Sequence, residues 1–235
     1  MDSGNIGFVL LCAAFVFVMT PGLAMFYGGL VRKKNVVNTM MTSIFIIGIG
    51  IVMWVLFGYS LSFAPSGNAF IGDFRWLGLE GVSLTEGYTD GASIPNMVFS
   101  AFQMMFAVIT PALITGAVAG RMKFKSIFVF TIFWSLIVYY PLAHMVWGQG
   151  GLLGADGIGA LDFAGGDVVH ISSGVSALVL CILLGKRHDY EHSIYRIHNI
   201  PTVVLSASLL MFGWFGFNAG SALAADGLAA HAFMT

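Results

Sequence analysis

The residue in this sequence best equipped to do chemistry is a histidine set in a long apolar run. His170 is followed at positions 173, 174, 177 and 181 by Ser173, Gly174, Ala177 and Cys181, all on its own face if the run is helical. A stripe of such small side chains faces packed protein, so the imidazole points into a bundle. There it serves either as a core group hydrogen-bonded to a neighbouring helix or as a pore or ligand group able to take up and hand on a proton. Phe102 and Phe106 are four apart, as are Phe217 and Ser221, so each pair shares a helix face and offers ring faces beside a hydroxyl. Ring faces attract cations, but in a chain with 21 phenylalanines a Phe stripe is more ordinarily core or lipid contact. Trp147 closes an apolar run where an interfacial aromatic belongs. Asp162 precedes the Ala164-Gly165-Gly166 break, where a carboxylate caps or braces a turn, and Asp167 suits a helix N-terminus. His144 sits three residues before Trp147 and receives no role. His188, His192 and His198 fall in a basic loop and His231 in the tail. No HExxH, paired CxxC, Walker loop or GxSxG occurs, so metal, cofactor, nucleotide and acyl-transfer chemistry have no support, and the chain does not read as an enzyme. Cys12 and Cys181 lie in apolar runs and read as small buried thiols.

The elements that must hold these residues are written in the composition. Of 235 residues, 58% are apolar and 9% charged, against about 25% charged in an ordinary globular protein. Disorder, nucleic-acid binding and a water-soluble surface are excluded together. Six stretches reach the length of about 20 residues that a helix needs to cross a bilayer: 6–31, 39–64, 94–119, 126–147, 168–185 and 201–225. Helix is forced, because amides in lipid must be satisfied within the segment and barrel-type alternation is missing. The reading is an all-α integral membrane protein, a polytopic helical bundle forming one transmembrane domain over 1–235. The first segment opens on Asp2 without a basic flank and reads as a span rather than a signal peptide.

Charge fixes the orientation expected of the bundle. Arg32, Lys33 and Lys34, then Arg121, Lys123 and Lys125, then Lys186, Arg187 and Arg196 all fall on one side, nine of the ten basic residues. Nine of the eleven acids fall on the other, Asp189 and Glu191 being the exceptions. The positive-inside rule makes the basic side cytoplasmic and starts the N-terminus outside. The loop 65–93 is Gly-rich and acidic, and reads either as an ordered external cap or as a solvated connector. Glycines four apart, Gly116/Gly120 and Gly216/Gly220, predict close helix approaches.

The segments PGLAMFYGGLVRKKN (from Pro21), AFQMMFAVIT (from Ala101), PLAHMVWGQGG (from Pro141), ALDFAGGDVVHISSG (from Ala160) and GWFGFNAGSA (from Gly213) strongly resemble the ammonium transporter family (Amt/Mep, relatives of Rh proteins), in order over nearly the whole chain. The resemblance implies a homotrimer of eleven-helix protomers in the cell membrane. Each protomer is built as two inverted five-helix repeats plus a last helix around its own pore. Matched onto this sequence, Phe106, Trp147 and Ser221 are the external ammonium recruitment site and Phe106 with Phe217 the aromatic gate. His170 is the first of two pore histidines and Asp162 the acid that orders the external vestibule. A PII-type cytosolic regulator is implied as a partner. The sequence runs through the first repeat and one helix of the second, so the expectation is a piece of a longer protein whose remainder carries the second pore histidine.

Ammonium is an ion, and a bare ion of its size in low dielectric carries an idealised cost on the order of 20 kcal/mol. Ring faces worth about 2 kcal/mol each when desolvated hold it only at a wet mouth. Potassium is attracted equally, so discrimination has to come deeper, where ammonium sheds a proton that potassium lacks. A buried imidazole is more readily neutral than charged, which suits His170 to accept that proton while ammonia crosses the apolar constriction. The alternative function is sensing, in which the same site reports ammonium to a signalling domain beyond residue 235.

Overall fold

The computed structural model describes residues 1–65, 67–155, 157–187, 190 and 194–235. Asp156, His188, Asp189, Glu191 and His192, counted in the loop pattern, lie outside them. The described residues form helices and no strand. Helix α1 is Ser3–Leu30. Helix α2, Val36–Met53, continues through a π-helical turn, Trp54–Gly58, into α3, Tyr59–Phe63. Helix α4 is Asn96–Val118, and α5, Phe124–Trp134, runs through a second π turn, Ser135–Tyr139, into α6, Tyr140–Trp147. A third π turn, Gly166–Ile171, opens α7, Ser172–Leu184; α8 is Ile200–Gly220 and α9 Gly227–Met234.

Six of the resulting continuous helices are long and apolar enough to cross a membrane, and two depart from their expected bounds by more than three residues, the second span beginning at Lys33 rather than 39. The sixth span stops at Gly220 rather than 225, because Leu223 takes a left-handed conformation, φ 58°, and the chain turns there although its residues stay small and apolar. The amide of Ala225 donates to Asn5 Oδ1 at 2.9 Å, tying this turn to the start of α1. Outward side chains are apolar: Val37, Ile137 and Ile182 are 73%, 70% and 70% exposed, a surface suited to acyl chains rather than water.

Helices α1 and α8 make the most extensive pairing. Glycine permits it: a Cβ at Gly216 would stand 2.7 Å from Phe15 Cβ, and one at Gly220 2.7 Å from Cys12 Cβ. Cys12 is buried in this seam as expected, whereas Cys181 is only half-buried, with Sγ 2.9 Å from Arg121 Nη2. The loop 65–93 lies ordered, in its described part, over one end of the bundle. Gly72 N–H donates to Leu61 O at 2.7 Å, Ser60 Oγ donates to Asp73 O at 2.7 Å, and Trp76 stacks on Tyr59 with centroids 5.3 Å apart. That end carries the residues singled out by their chemistry.

Candidate functional site

Asp162 organises the site. Its Oδ1 accepts from the amides of Gly165 (2.5 Å) and Gly166 (2.8 Å), and Oδ2 from those of Asp167 (2.8 Å) and Val168 (3.0 Å). The first amides of a helix have no partner within it, and a carboxylate satisfies them with charge-assisted bonds at the positive end of the dipole. Gly165 makes the turn possible, since its φ is +100° and a Cβ there would meet Val169 Cγ2 at 2.7 Å. The backbone oxygen of Asp162 also accepts the indole N–H of Trp147 at 2.8 Å. One residue thus fixes both the aromatic at the end of α6 and the π turn that carries His170. Asp167 lies inside that turn, contributing its amide to Asp162.

Phe106, from α4, meets Phe217, from α8, with centroids 4.3 Å apart and planes at 42°; both are 1% exposed. Trp147 stands 6.0 Å from Phe106 on one side, edge to face at 86°. On the other side of the pair His170 lies 5.9 Å from Phe217 and stacks on Trp214 at 5.2 Å, with planes 6° apart. The order is therefore Trp147, then Phe106 against Phe217, then His170 on Trp214. A cavity of about 250 Å³ opens in front of the phenylalanine pair, lined by Tyr88, Phe99, Gln103, Phe106, Trp147 and Ser221 among others. Phe217 and His170 do not line it. A larger cavity, about 730 Å³, lies beside Arg121, Arg187 and Tyr195 and contains none of these residues.

The polarity of the cavity is set by which hydrogens are already used. The indole N–H of Trp147 is spent on Asp162, leaving its ring face. Ser221 Oγ donates to Phe217 O at 2.8 Å, leaving its lone pairs. Trp147 thus offers a π face and Ser221 an acceptor, which suit a cation that donates hydrogen bonds.

Three side chains escaped the sequence reading. Trp214 carries a signal in its i, i+3 spacing to Phe217, the same as that of Gln103 to Phe106. His144 is fully buried, its Nδ1 3.1 Å from Ser62 O and its Nε2 2.8 Å from Asn68 O, so it straps the 65–93 loop to α6 one turn from Trp147. Only the fold brings those carbonyls to it. His144→Ala is expected to lower the unfolding temperature in detergent, at roughly 1–3 kcal/mol for a carbonyl left without its donor. An unchanged midpoint would show that the strap carries no stability.

The sequence pattern of the Ammonium Transporter Family matches residues 7–235. An ammonium transporter of Bacillus subtilis (strain 168) is 53% identical over 235 residues, covering 100% of this chain and 56% of that protein. Among solved structures, Saccharomyces cerevisiae Mep2 superposes with a TM-score of 0.88 at 36% identity, covering 100% of this chain and 52% of the yeast chain. A sensor Amt protein superposes with a TM-score of 0.82 at 29% identity over 97% of this chain and 56% of its own. The chain spans about half the length of the curated relatives it matches.

Proposed function

Because the chain belongs to the ammonium transporter family, we propose that it supplies the recruitment site, the aromatic gate and the first proton acceptor of an ammonium transporter. The observation that carries this reading is the mouth cavity, which gathers the ring faces of Trp147 and Phe106 and the Ser221 hydroxyl, with Phe217 packed against Phe106 behind it. Ammonium docks against Trp147 and Phe106, donates to Ser221 Oγ, and is still partly hydrated, so the full desolvation cost is avoided. The closed phenylalanine pair admits no hydrated cation. The proton leaves ammonium at this constriction and passes to His170 behind it, and neutral ammonia follows; the charge moves only if the proton is relayed onward.

The six long helices and the basic residues gathered on one side support a multi-pass arrangement in the cell membrane with the N-terminus outside. By family likeness the working unit is a homotrimer, and a PII-type regulator meets the cytosolic mouth. The likeness to a sensor Amt protein supports a second reading, in which occupancy of the same mouth is reported onward. Ammonium-evoked current from full-length protein separates the two, since a pure sensor binds ammonium without carrying charge.

Trp147→Leu tests the mouth directly. Removing a desolvated cation–π contact of about 1–2 kcal/mol raises the half-saturating ammonium concentration roughly 5- to 30-fold. A half-saturation equal to that of the unmodified protein would remove Trp147 from the recruitment site.

A further inference from the structure

Gln103 is 9% exposed, and its Oε1 is buried without a hydrogen-bond partner. Buried acceptors are almost always satisfied, and one left orphaned is costly enough to call for an explanation. Thr20, Thr39 and Ser62 also carry a partnerless buried hydroxyl among the described residues, yet none of them lines the mouth cavity. Gln103 does, alongside Phe106, Trp147 and Ser221. Its placement is set by α4: Phe99, Gln103 and Phe106 follow at i, i+4 and i+7, on one face of the helix. Phe99 is held from the far side by Tyr88, stacked at 4.7 Å with planes 3° apart. The carboxamide is therefore kept beside rigid aromatics; its oxygen meets no protein donor and has almost no open surface as placed, and a half-turn of the terminal amide exchanges it with Nε2 and turns it to the cavity.

We propose that Gln103 is a ligand of the recruited cation, its carboxamide oxygen accepting one N–H of ammonium while Ser221 Oγ accepts another. Ammonium carries four N–H donors in tetrahedral array, and two acceptors between two ring faces satisfy it with little water. The carboxamide oxygen strengthens the hold on an N–H donor at the mouth, and the division from potassium stays with the proton lost deeper. This inference rests on the recruitment reading of the cavity and adds a residue to it.

The test is ammonium-evoked current from the full-length protein on a solid-supported membrane, comparing Gln103→Leu, Gln103→Glu and Trp147→Leu. Gln103→Leu keeps the shape and removes the acceptor. Its half-saturating ammonium concentration is expected to rise about 5- to 10-fold, one hydrogen bond's worth, with the maximal current within about twofold, since the substituted group does not take part in proton transfer. Gln103→Glu keeps an acceptor at the same reach and is expected to half-saturate at or below the unmodified concentration. A merely structural Gln103 would lose maximal current in both variants and leave half-saturation unmoved. Unchanged half-saturation in Gln103→Leu beside a shifted Trp147→Leu overturns this inference alone, and so does Gln103→Glu as weak as Gln103→Leu. If Trp147→Leu is unshifted as well, the recruitment reading itself falls. Gln103→Met, which also lacks the acceptor, replaces Gln103→Leu if that variant fails to reach the membrane.

Discussion

In His170→Ala the ammonium-evoked current of the full-length protein is expected to fall by about 100-fold or more while the protein still folds. The size follows from the step removed. A positioned acid–base group contributes roughly 10²–10⁴-fold to a proton transfer, and His170 is the imidazole that stands against Phe217, 5.9 Å away. The structural cost is small, because the ring leaves a half-buried position and its stack on Trp214. His170→Asn keeps a polar group without a basic nitrogen and is expected to be equally silent, which separates loss of packing from loss of proton acceptance. Ammonium current of ordinary size in either variant would mean that the proton takes another route.

The second large effect belongs to Asp162→Ala. Four backbone N–H groups donate to this carboxylate and anchor the π turn that carries His170, whereas the Trp147 indole is held by the backbone oxygen, which alanine keeps. Hydrogen bonds to a charged group contribute about 1.5–3 kcal/mol each and do not add fully, so the loss is on the order of 4 kcal/mol, a large share of the 5–15 kcal/mol that typically holds a protein folded. The expected result is a steep fall in unfolding temperature and in the amount of protein reaching the membrane. What folds is expected to carry little current, since the turn that positions His170 is no longer braced by the carboxylate. Asp162→Asn retains one acceptor oxygen for two of the four amides and is expected to fall between the two. An Asp162→Ala protein with unmodified stability and current would show that the turn holds itself.

The parts of this molecule that are legible in sequence are those whose cause is local. A run of apolar residues dictates a spanning helix whatever surrounds it, which is why four of the six spans lie within three residues of their expected bounds at both ends. The sixth overran because hydropathy cannot register a left-handed Leu223 among small apolar residues. The π turns at Trp54, Ser135 and Gly166 were equally invisible, since they depend on what the neighbouring helices press against. At the site, Phe106, Phe217, Trp147, Ser221, Asp162 and His170 could be named from spacing and family likeness, and the fold brings them to one end of the bundle in a consistent order. The bracing reading of Asp162 follows from a single turn of helix, whereas the small-residue stripe read as facing packed protein is open at Gly174, where a Cβ would meet nothing within 4 Å, and His170 is half-buried against Trp214 and Phe217. Gln103, His144 and Trp214 were missed for one shared reason: each is defined by what stands opposite it in space. Oε1 of Gln103 matters because nothing meets it, His144 because two distant carbonyls do, and Trp214 because it lies flat against the imidazole.

The account rests on deprotonation, rather than size or charge, dividing ammonium from potassium. Its most direct test is current from the full-length unmodified protein on a solid-supported membrane, with pulses of ammonium and of potassium at equal ionic strength. A saturable current with ammonium and none with potassium is the predicted result; a potassium current of comparable size would contradict it.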